Sequence, residues 1–90
     1  MGAVADRLKA KLERDFGPQR LDIVDDSSRH AGHSGSRPGG ESHFTVTIVS
    51  QAFAGLSRVE RQRRVYAALA EELSGPVHAL ALKALTPEEA

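Results

Sequence analysis

The apolar positions of the chain follow first a helical and then a strand periodicity. Four apolar residues recur at four-residue spacing with charged residues between them: Val4, Leu8, Leu12 and Phe16. This spacing predicts an amphipathic helix over residues 3–16. Gly17 and Pro18 are expected to end it, because glycine accepts a left-handed cap and proline cannot continue a helix. The alternation over residues 21–24 then predicts a short strand.

The second half of the chain predicts two further strands with a helix between them. Residues 43–50 alternate most regularly, with three apolar side chains on one face: Phe44, Val46 and Ile48. A turn is expected at residues 53–55. The capping-box spacing at residues 57–60 predicts the start of a helix over residues 58–73. Residues 77–83 alternate again and predict the third strand.

The order of these elements predicts a two-layer α+β fold in a single domain covering residues 1–90. The first two strands can pair antiparallel across the loop at residues 26–40, which is rich in serine, glycine and histidine. A helical crossover between the second and third strands favours parallel pairing. We therefore expect a three-stranded mixed sheet with helices on one face. Long loops in small domains are usually functional or disordered.

Composition limits the classes of partner. Apolar residues make up 40% of the 90 residues, and twelve basic side chains balance twelve acidic ones. No overall charge therefore attracts nucleic acid or an anionic membrane. The one basic cluster comprises Arg58, Arg61, Arg63 and Arg64. It is either a solvated, salt-bridged helix face or a stripe that binds phosphate or carboxylate groups.

The sequence contains no cysteine. This excludes disulfides, thiolate zinc sites, a cysteine nucleophile and any iron–sulfur cluster ligated by this chain alone. The first residues lack the pattern of a signal peptide, and no apolar run approaches the roughly 18 residues of a membrane span. We therefore expect a small cytoplasmic protein without a membrane segment.

Histidine is the residue type that most suggests a site. Two histidines lie in the long loop and one at the start of each of the last two strands: His30, His33, His43 and His78. Because parallel neighbours begin at the same sheet edge, we expect several imidazoles to gather there, and neutral imidazole is the commonest metal ligand. The alternatives are solvated loop side chains, a strand-edge ring covering apolar surface at His43, and a core ring at His78 beside Leu80 and Leu82.

Other chemistry has weaker support. The spacing of His30 and His33 would suit zinc, but structural zinc sites usually contain cysteine. Residues 32–35 have the GxxG form of nucleic-acid-binding KH domains, but they fall between strands rather than helices. No nucleophile, acid–base pair or cofactor loop stands out, so we expect no enzymatic activity.

Several short motifs occur in a set order along the chain. They are Asp26-Ser27, His30-Ala31-Gly32-His33, Gly40-Glu41-Ser42-His43-Phe44, Val49-Ser50, Phe53-Ala54-Gly55, Arg61-Gln62-Arg63, Leu69-Ala70-Glu71-Glu72-Leu73 and Val77-His78-Ala79-Leu80. Together, over residues 4–89, they resemble the BolA family. The resemblance implies an α+β fold like a class II KH domain, in the order α-β-β-α-α-β. It also implies a short helix around residues 51–54.

The resemblance further implies a partner of a monothiol glutaredoxin. In such a heterodimer a [2Fe–2S] cluster is shared, and the glutaredoxin cysteine and a bound glutathione ligate one side. His78 matches the family's C-terminal ligand histidine. His30 matches the loop ligand position with His33 as its competitor, and His43 is the weakest of the four candidates. The implied role is cluster transfer or iron sensing, with no cofactor bound by the chain alone.

BolA-like proteins are also described as DNA-binding regulators, which gives an alternative function. The helix-turn-helix-like region corresponds here to residues 53–55 and the helix that carries Arg58, Arg61, Arg63 and Arg64. Gln62 departs from the family's Arg-His-Arg pattern, and zero net charge weakens the DNA case because non-specific affinity comes mainly from phosphate neutralisation. Alone, the chain is expected to be a monomer or a weak homodimer.

Overall fold

The computed structural model of the chain describes residues 2–26 and 42–90. The elements, in chain order, are α1 (Ala3–Phe16), β1 (Arg20–Asp25), β2 (His43–Val49), a 3₁₀ helix (Gln51–Phe53), α2 (Arg58–Ala68), α3 (Ala70–Ser74) and β3 (Ala79–Leu85). The predicted α+β class is confirmed, with three α-helices and a three-stranded mixed sheet among the described residues. The loop predicted at residues 26–40 lies, apart from Asp26, outside them.

The sheet has the order β1-β2-β3, with β2 in the centre. Strands β1 and β2 pair antiparallel, and β2 and β3 pair parallel, as the sequence predicts. In this register Ile48 lies opposite Leu21 on one side and Ala84 on the other. The apolar positions of the three strands therefore share one face.

The helices cover that face and form the core with it. Leu8 and Leu12 of α1 and Val65 of α2 are fully buried, together with Val46 and Ile48 of the central strand. This is the burial that the four-residue spacing in α1 and the alternation in β2 predict. None of the helices within residues 2–26 and 42–90 is long and apolar enough to cross a bilayer.

The segment after β2 differs from the periodicity-based prediction by a 3₁₀ helix that precedes the expected turn. The Ser50 hydroxyl accepts a hydrogen bond from the Ala52 amide at 3.1 Å. Phe53 is fully buried, with its ring centroid 5.1 Å from that of Phe16. Side-chain capping and burial of one aromatic ring thus fix a local conformation that carries little sequence periodicity.

The helix predicted over residues 58–73 is two helices that meet at Leu69. This residue is fully buried and has φ −104° and ψ 18°. Its amide still donates to Val65, and its carbonyl accepts from Leu73 at 2.9 Å. The prediction of one continuous helix is therefore wrong, although hydrogen bonding continues through the break.

Candidate functional site

The amino-terminal ends of β2 and β3 lie side by side and bring two histidines together. His43 pairs with Ala79 in the parallel register, and the ring centroids of His43 and His78 are 5.2 Å apart, with ring planes inclined by 55°. The predicted gathering of imidazoles is found for these two. His30 and His33 lie outside the described residues, and their part in the site stays a prediction.

Ser42, directly before β2, holds both histidines in place. Its carbonyl accepts hydrogen bonds from the amides of His78 at 2.7 Å and Ala79 at 3.1 Å. Its hydroxyl lies 2.9 Å from Nδ1 of His43. Ser42 is itself fully buried, so both histidines are hydrogen-bonded to a well-packed residue of the fold.

The two histidines differ in exposure. His78 is exposed and His43 is half-buried, so His78 is not the core residue that a shared face with Leu80 and Leu82 would make it. Strand β3 begins at Ala79 because the amide of Val77 donates instead to the carbonyl of Glu72 at 2.9 Å. This connection leaves His78 at the rim of the sheet rather than within the strand.

The end of β1 completes this edge of the sheet. The amide of Asp26 donates to the carbonyl of His43 at 2.7 Å, and the Asp26 carboxylate accepts a hydrogen bond from the Thr45 hydroxyl. Asp26 and Ser42, which flank residues 27–41 in the sequence, therefore both contact His43. We call this region, formed by Asp26, Ser42, His43 and His78, the histidine edge.

The donor set at the histidine edge limits what it can bind alone. Within residues 2–26 and 42–90, no three histidine, aspartate or glutamate side chains are placed to hold a metal ion together. Two imidazoles from this part of the chain leave most coordination positions of any metal to other donors. The arrangement suits a shared site better than a site enclosed by these residues.

The arginine cluster on α2 divides into one buried and three exposed residues. Arg61 is 9% exposed, and its guanidinium donates to the carbonyls of Leu56 at 3.0 Å and Ala84 at 3.1 Å. It also donates to the Glu89 carboxylate at 2.6 and 3.3 Å. The exposed members are Arg58, Arg63 and Arg64.

The structural role of Arg61 is a feature that the sequence-based analysis missed. Arg61 stands four residues before Val65 and eight before Leu69, on the buried stripe of the helical segment. This spacing is the feature of the sequence that could have indicated that Arg61 is buried. The hydrogen bonds from Arg61 and from the amide of Thr86 lower the pKa of the Glu89 carboxyl to about 2.

A second missed feature is the buried carboxylate of Glu72. It is fully buried and accepts hydrogen bonds from Lys11 at 3.0 Å and from Arg7 at 2.9 and 3.1 Å. Burial alone would raise the pKa of Glu72, but the bonds from Lys11, its own backbone and Arg7 outweigh it and lower the pKa. Glu72 therefore ties α3 to α1 and is not a free acid for the histidine edge.

The chain is similar to several proteins of known identity. A family profile described as BolA-like protein matches residues 12–89. BolA-like protein 1 of Homo sapiens is 47% identical over 89 residues, which is 99% of this chain and 62% of that protein. The chain thus spans less than two thirds of that relative's length.

Two further relatives extend the comparison. The DNA-binding transcriptional regulator BolA of Escherichia coli (strain K12) is 45% identical over 86 residues, covering 96% of this chain and 78% of the regulator. Among solved structures, the BolA domain of SufE1 from Arabidopsis thaliana has a TM-score of 0.89 and 42% identity. That match covers 100% of this chain and 99% of the domain.

Proposed function

The chain belongs to the family of BolA-like proteins, and we propose that it is a non-enzymatic partner of a monothiol glutaredoxin. The two proteins would form a heterodimer that shares a glutathione-containing [2Fe–2S] cluster, for cluster transfer or iron sensing. The glutaredoxin cysteine and glutathione would ligate one iron. Histidines of this chain would ligate the other, with His78 as the first candidate.

The observation that carries this proposal is the histidine edge. His78 is exposed, and its ring lies 5.2 Å from that of His43. An exposed imidazole at the rim of a sheet can meet a donor set brought by another protein. The glutaredoxin itself is suggested by the family resemblance rather than by a contact of the described residues.

The composition of the chain supports a shared cluster. Without cysteine, the chain can contribute imidazoles but no thiolate. In Rieske centres, histidine in place of cysteine on one iron raises the reduction potential, and a protonatable ligand makes binding sensitive to pH. A cluster held in this way is suited to release and transfer.

The test of the proposal is reconstitution with the glutaredoxin, glutathione, iron and sulfide. We expect a heterodimer whose visible absorption and circular dichroism spectra differ from those of the glutaredoxin homodimer. His78→Ala should abolish the difference, whereas Lys83→Ala, an exposed change on the strand that follows His78, should preserve it. A His78→Ala complex with the wild-type spectrum would exclude His78 as a ligand.

The second ligand from this chain is proposed to be His30, with His33 as its competitor and His43 as the weaker alternative. His30 is four residues from Asp26, and four residues of chain reach at most about 14 Å. Single variants His30→Ala, His33→Ala and His43→Ala in the same reconstitution form a matched series. Only the variant that removes the ligand should change the cluster spectrum as His78→Ala does.

DNA binding is the second candidate function. The E. coli relative is named as a DNA-binding transcriptional regulator, and Arg58, Arg63 and Arg64 are exposed on α2. Arg58 also lines a groove of about 290 Å³ beside Lys83 of β3. These cations could neutralise phosphates.

The DNA candidate predicts a measurable salt dependence. Affinity for duplex DNA should fall steeply with salt. Changing Arg58, Arg63 and Arg64 together to alanine should make the slope of log affinity against log salt concentration shallower by about 3, the equivalent of about three phosphate contacts. Arg61→Ala is not a suitable variant, because it would remove the buried contacts to Glu89 and Ala84. No binding of the wild-type protein near physiological salt would exclude this function.

A further inference from the structure

The histidine edge depends on one residue that is not itself a ligand candidate. Ser42 is fully buried, and three of its polar contacts involve His43, His78 and Ala79. The carbonyl accepts from His78 and Ala79, and the hydroxyl lies 2.9 Å from Nδ1 of His43.

We propose that Ser42 is the positioning residue of the histidine edge: its carbonyl fixes the backbone of His78, and its hydroxyl selects the ring nitrogen that His43 presents. A histidine's two ring nitrogens are distinct, and the hydrogen bond made by one determines what the other can do. With Nδ1 of His43 on Ser42, any contact of His43 with a cluster or partner is made through Nε2.

The two parts of Ser42 act on different histidines and can be separated. Ser42→Ala removes the hydroxyl and leaves the carbonyl, so the backbone bonds to His78 and Ala79 remain. The change therefore tests the hydroxyl without displacing His78. The effect on a cluster rests on the proposed function, whereas the effect on the His43 ring does not.

The chain offers a matched control at the opposite end of β2. Ser50 directly follows the strand, is 1% exposed, and donates its hydroxyl to the carbonyl of Phe16 at 2.6 Å. Ser50→Ala therefore also removes a buried, hydrogen-bonded hydroxyl. It should lower stability in the same way without touching either histidine.

The first measurement uses the protein without cluster. The ¹⁵N chemical shifts of the His43 ring nitrogens report both hydrogen bonding and tautomer, and they are compared at a fixed pH of about 8, where an ordinary imidazole is neutral. Ser42→Ala should move the Nδ1 signal of His43, and Ser50→Ala should leave it in place. Ser42→Thr, which keeps a hydroxyl, should retain the wild-type signal.

The second measurement uses the reconstituted complex with glutaredoxin. Loss of a hydrogen-bonding partner of a metal-site histidine commonly weakens a site by about 10-fold or more. With His43 as the second ligand, the alternative to His30 and His33, we expect Ser42→Ala to lose its cluster to a chelator about 10-fold faster than the wild type, and Ser50→Ala to match the wild type.

The outcomes separate the two proposals. An unchanged His43 signal in Ser42→Ala, or the same change in Ser50→Ala, overturns the positioning role. A changed signal with an unchanged rate of cluster loss overturns its relevance to the cluster. If the wild-type complex holds no cluster, the proposed function fails, while the ring signals still decide whether Ser42 positions His43.

Discussion

Two charged side chains, those of Glu72 and Arg61, are largely withdrawn from solvent and are each matched by opposite charge. Glu72 accepts from Lys11 and Arg7, and Arg61 donates to Glu89. A buried charge without such partners would be strongly unfavourable. Both residues therefore stabilise the fold. The sequence pattern alone does not distinguish these buried, paired charges from charged residues on a solvated surface.

Glu72 provides a residue-scale prediction about stability. Glu72→Gln keeps the volume but leaves Lys11 and Arg7 without their carboxylate, and it should lower the free energy of unfolding by about 3 kcal/mol. Glu71→Gln is the matched control, because Glu71 also contacts Lys11 but its side chain is 81% exposed; its effect should be about 0.5 kcal/mol or less. Urea denaturation of both variants at neutral pH measures the difference, and equal effects would contradict the prediction.

Glu89 provides a prediction about pH. Its pKa in the folded protein is about 2, below the ordinary 4.5. A lowered carboxyl pKa means that its stabilising contribution is present above the unfolded-state value and is lost as pH falls through the folded-state value. The amide of Thr86, which donates to Glu89 at 2.7 Å, should therefore shift in NMR spectra with a midpoint near pH 2.

The controls for this titration lie in the same turn. Glu89→Gln should remove the Thr86 shift, whereas Glu88→Gln should retain it. A Thr86 amide that stays constant as Glu89 titrates would show that the two residues are not linked.

At the scale of elements, the end of α1 depends on a single backbone conformation. Gly17 has φ +50°, and its amide donates to the carbonyl of Glu13 at 3.1 Å. Gly17→Ala should lower the free energy of unfolding by about 1 kcal/mol, because a β-carbon disfavours left-handed backbone. Gly2→Ala, at the other end of α1 with φ −77°, should change it by less than about 0.5 kcal/mol. Thermal denaturation compares the two, and an equally stable Gly17→Ala would refute the role of the cap.

Elements were predictable from the sequence where local pattern and burial agree. Helix α1 has the predicted bounds because its apolar stripe and its Gly17-Pro18 ending coincide. The break at Leu69 was not predictable, because the apolar spacing passes through it and only its backbone angles differ. Strand β3 starts later than alternation predicts because the carbonyl of Glu72 binds the amide of Val77.

The same distinction holds for the candidate site. The meeting of His43 and His78 followed from the parallel pairing that a helical crossover favours. The role of Ser42 could not be predicted, because it depends on which carbonyl and hydroxyl face the neighbouring strand. The contacts of Arg61 with Glu89 and Ala84 could be recognised only from the way in which α2 packs against the core.

At the scale of the whole molecule, the two candidate functions use opposite ends of the sheet. His43 and Ala79 begin their strands at the histidine edge, whereas Arg61 contacts Ala84 near the end of β3. Six residue steps of strand separate the ends of β2, or about 20 Å. Ligands at the two ends are therefore expected to bind largely independently.

This separation gives a prediction for the glutaredoxin complex. In an NMR titration, signals at the histidine edge should shift or broaden, while those of Arg58 and Ala84 should change little. Arg58→Ala should leave the affinity for glutaredoxin within about twofold, a difference of less than about 0.5 kcal/mol. Perturbations centred on α2 would place the glutaredoxin away from the histidine edge and would contradict this prediction.

The hydrogen bond from the Asp26 amide to the His43 carbonyl has a consequence for evolution and engineering. It fixes the two points where residues 27–41 are attached, so we expect the strand register to persist when the length or composition of those residues changes. Closing a longer loop is inexpensive, since each doubling of its length costs only about 0.6 kcal/mol. Segments from different relatives should therefore be exchangeable at this junction, which would make the loop a replaceable cassette for changing the chemistry offered to a partner on an unchanged scaffold.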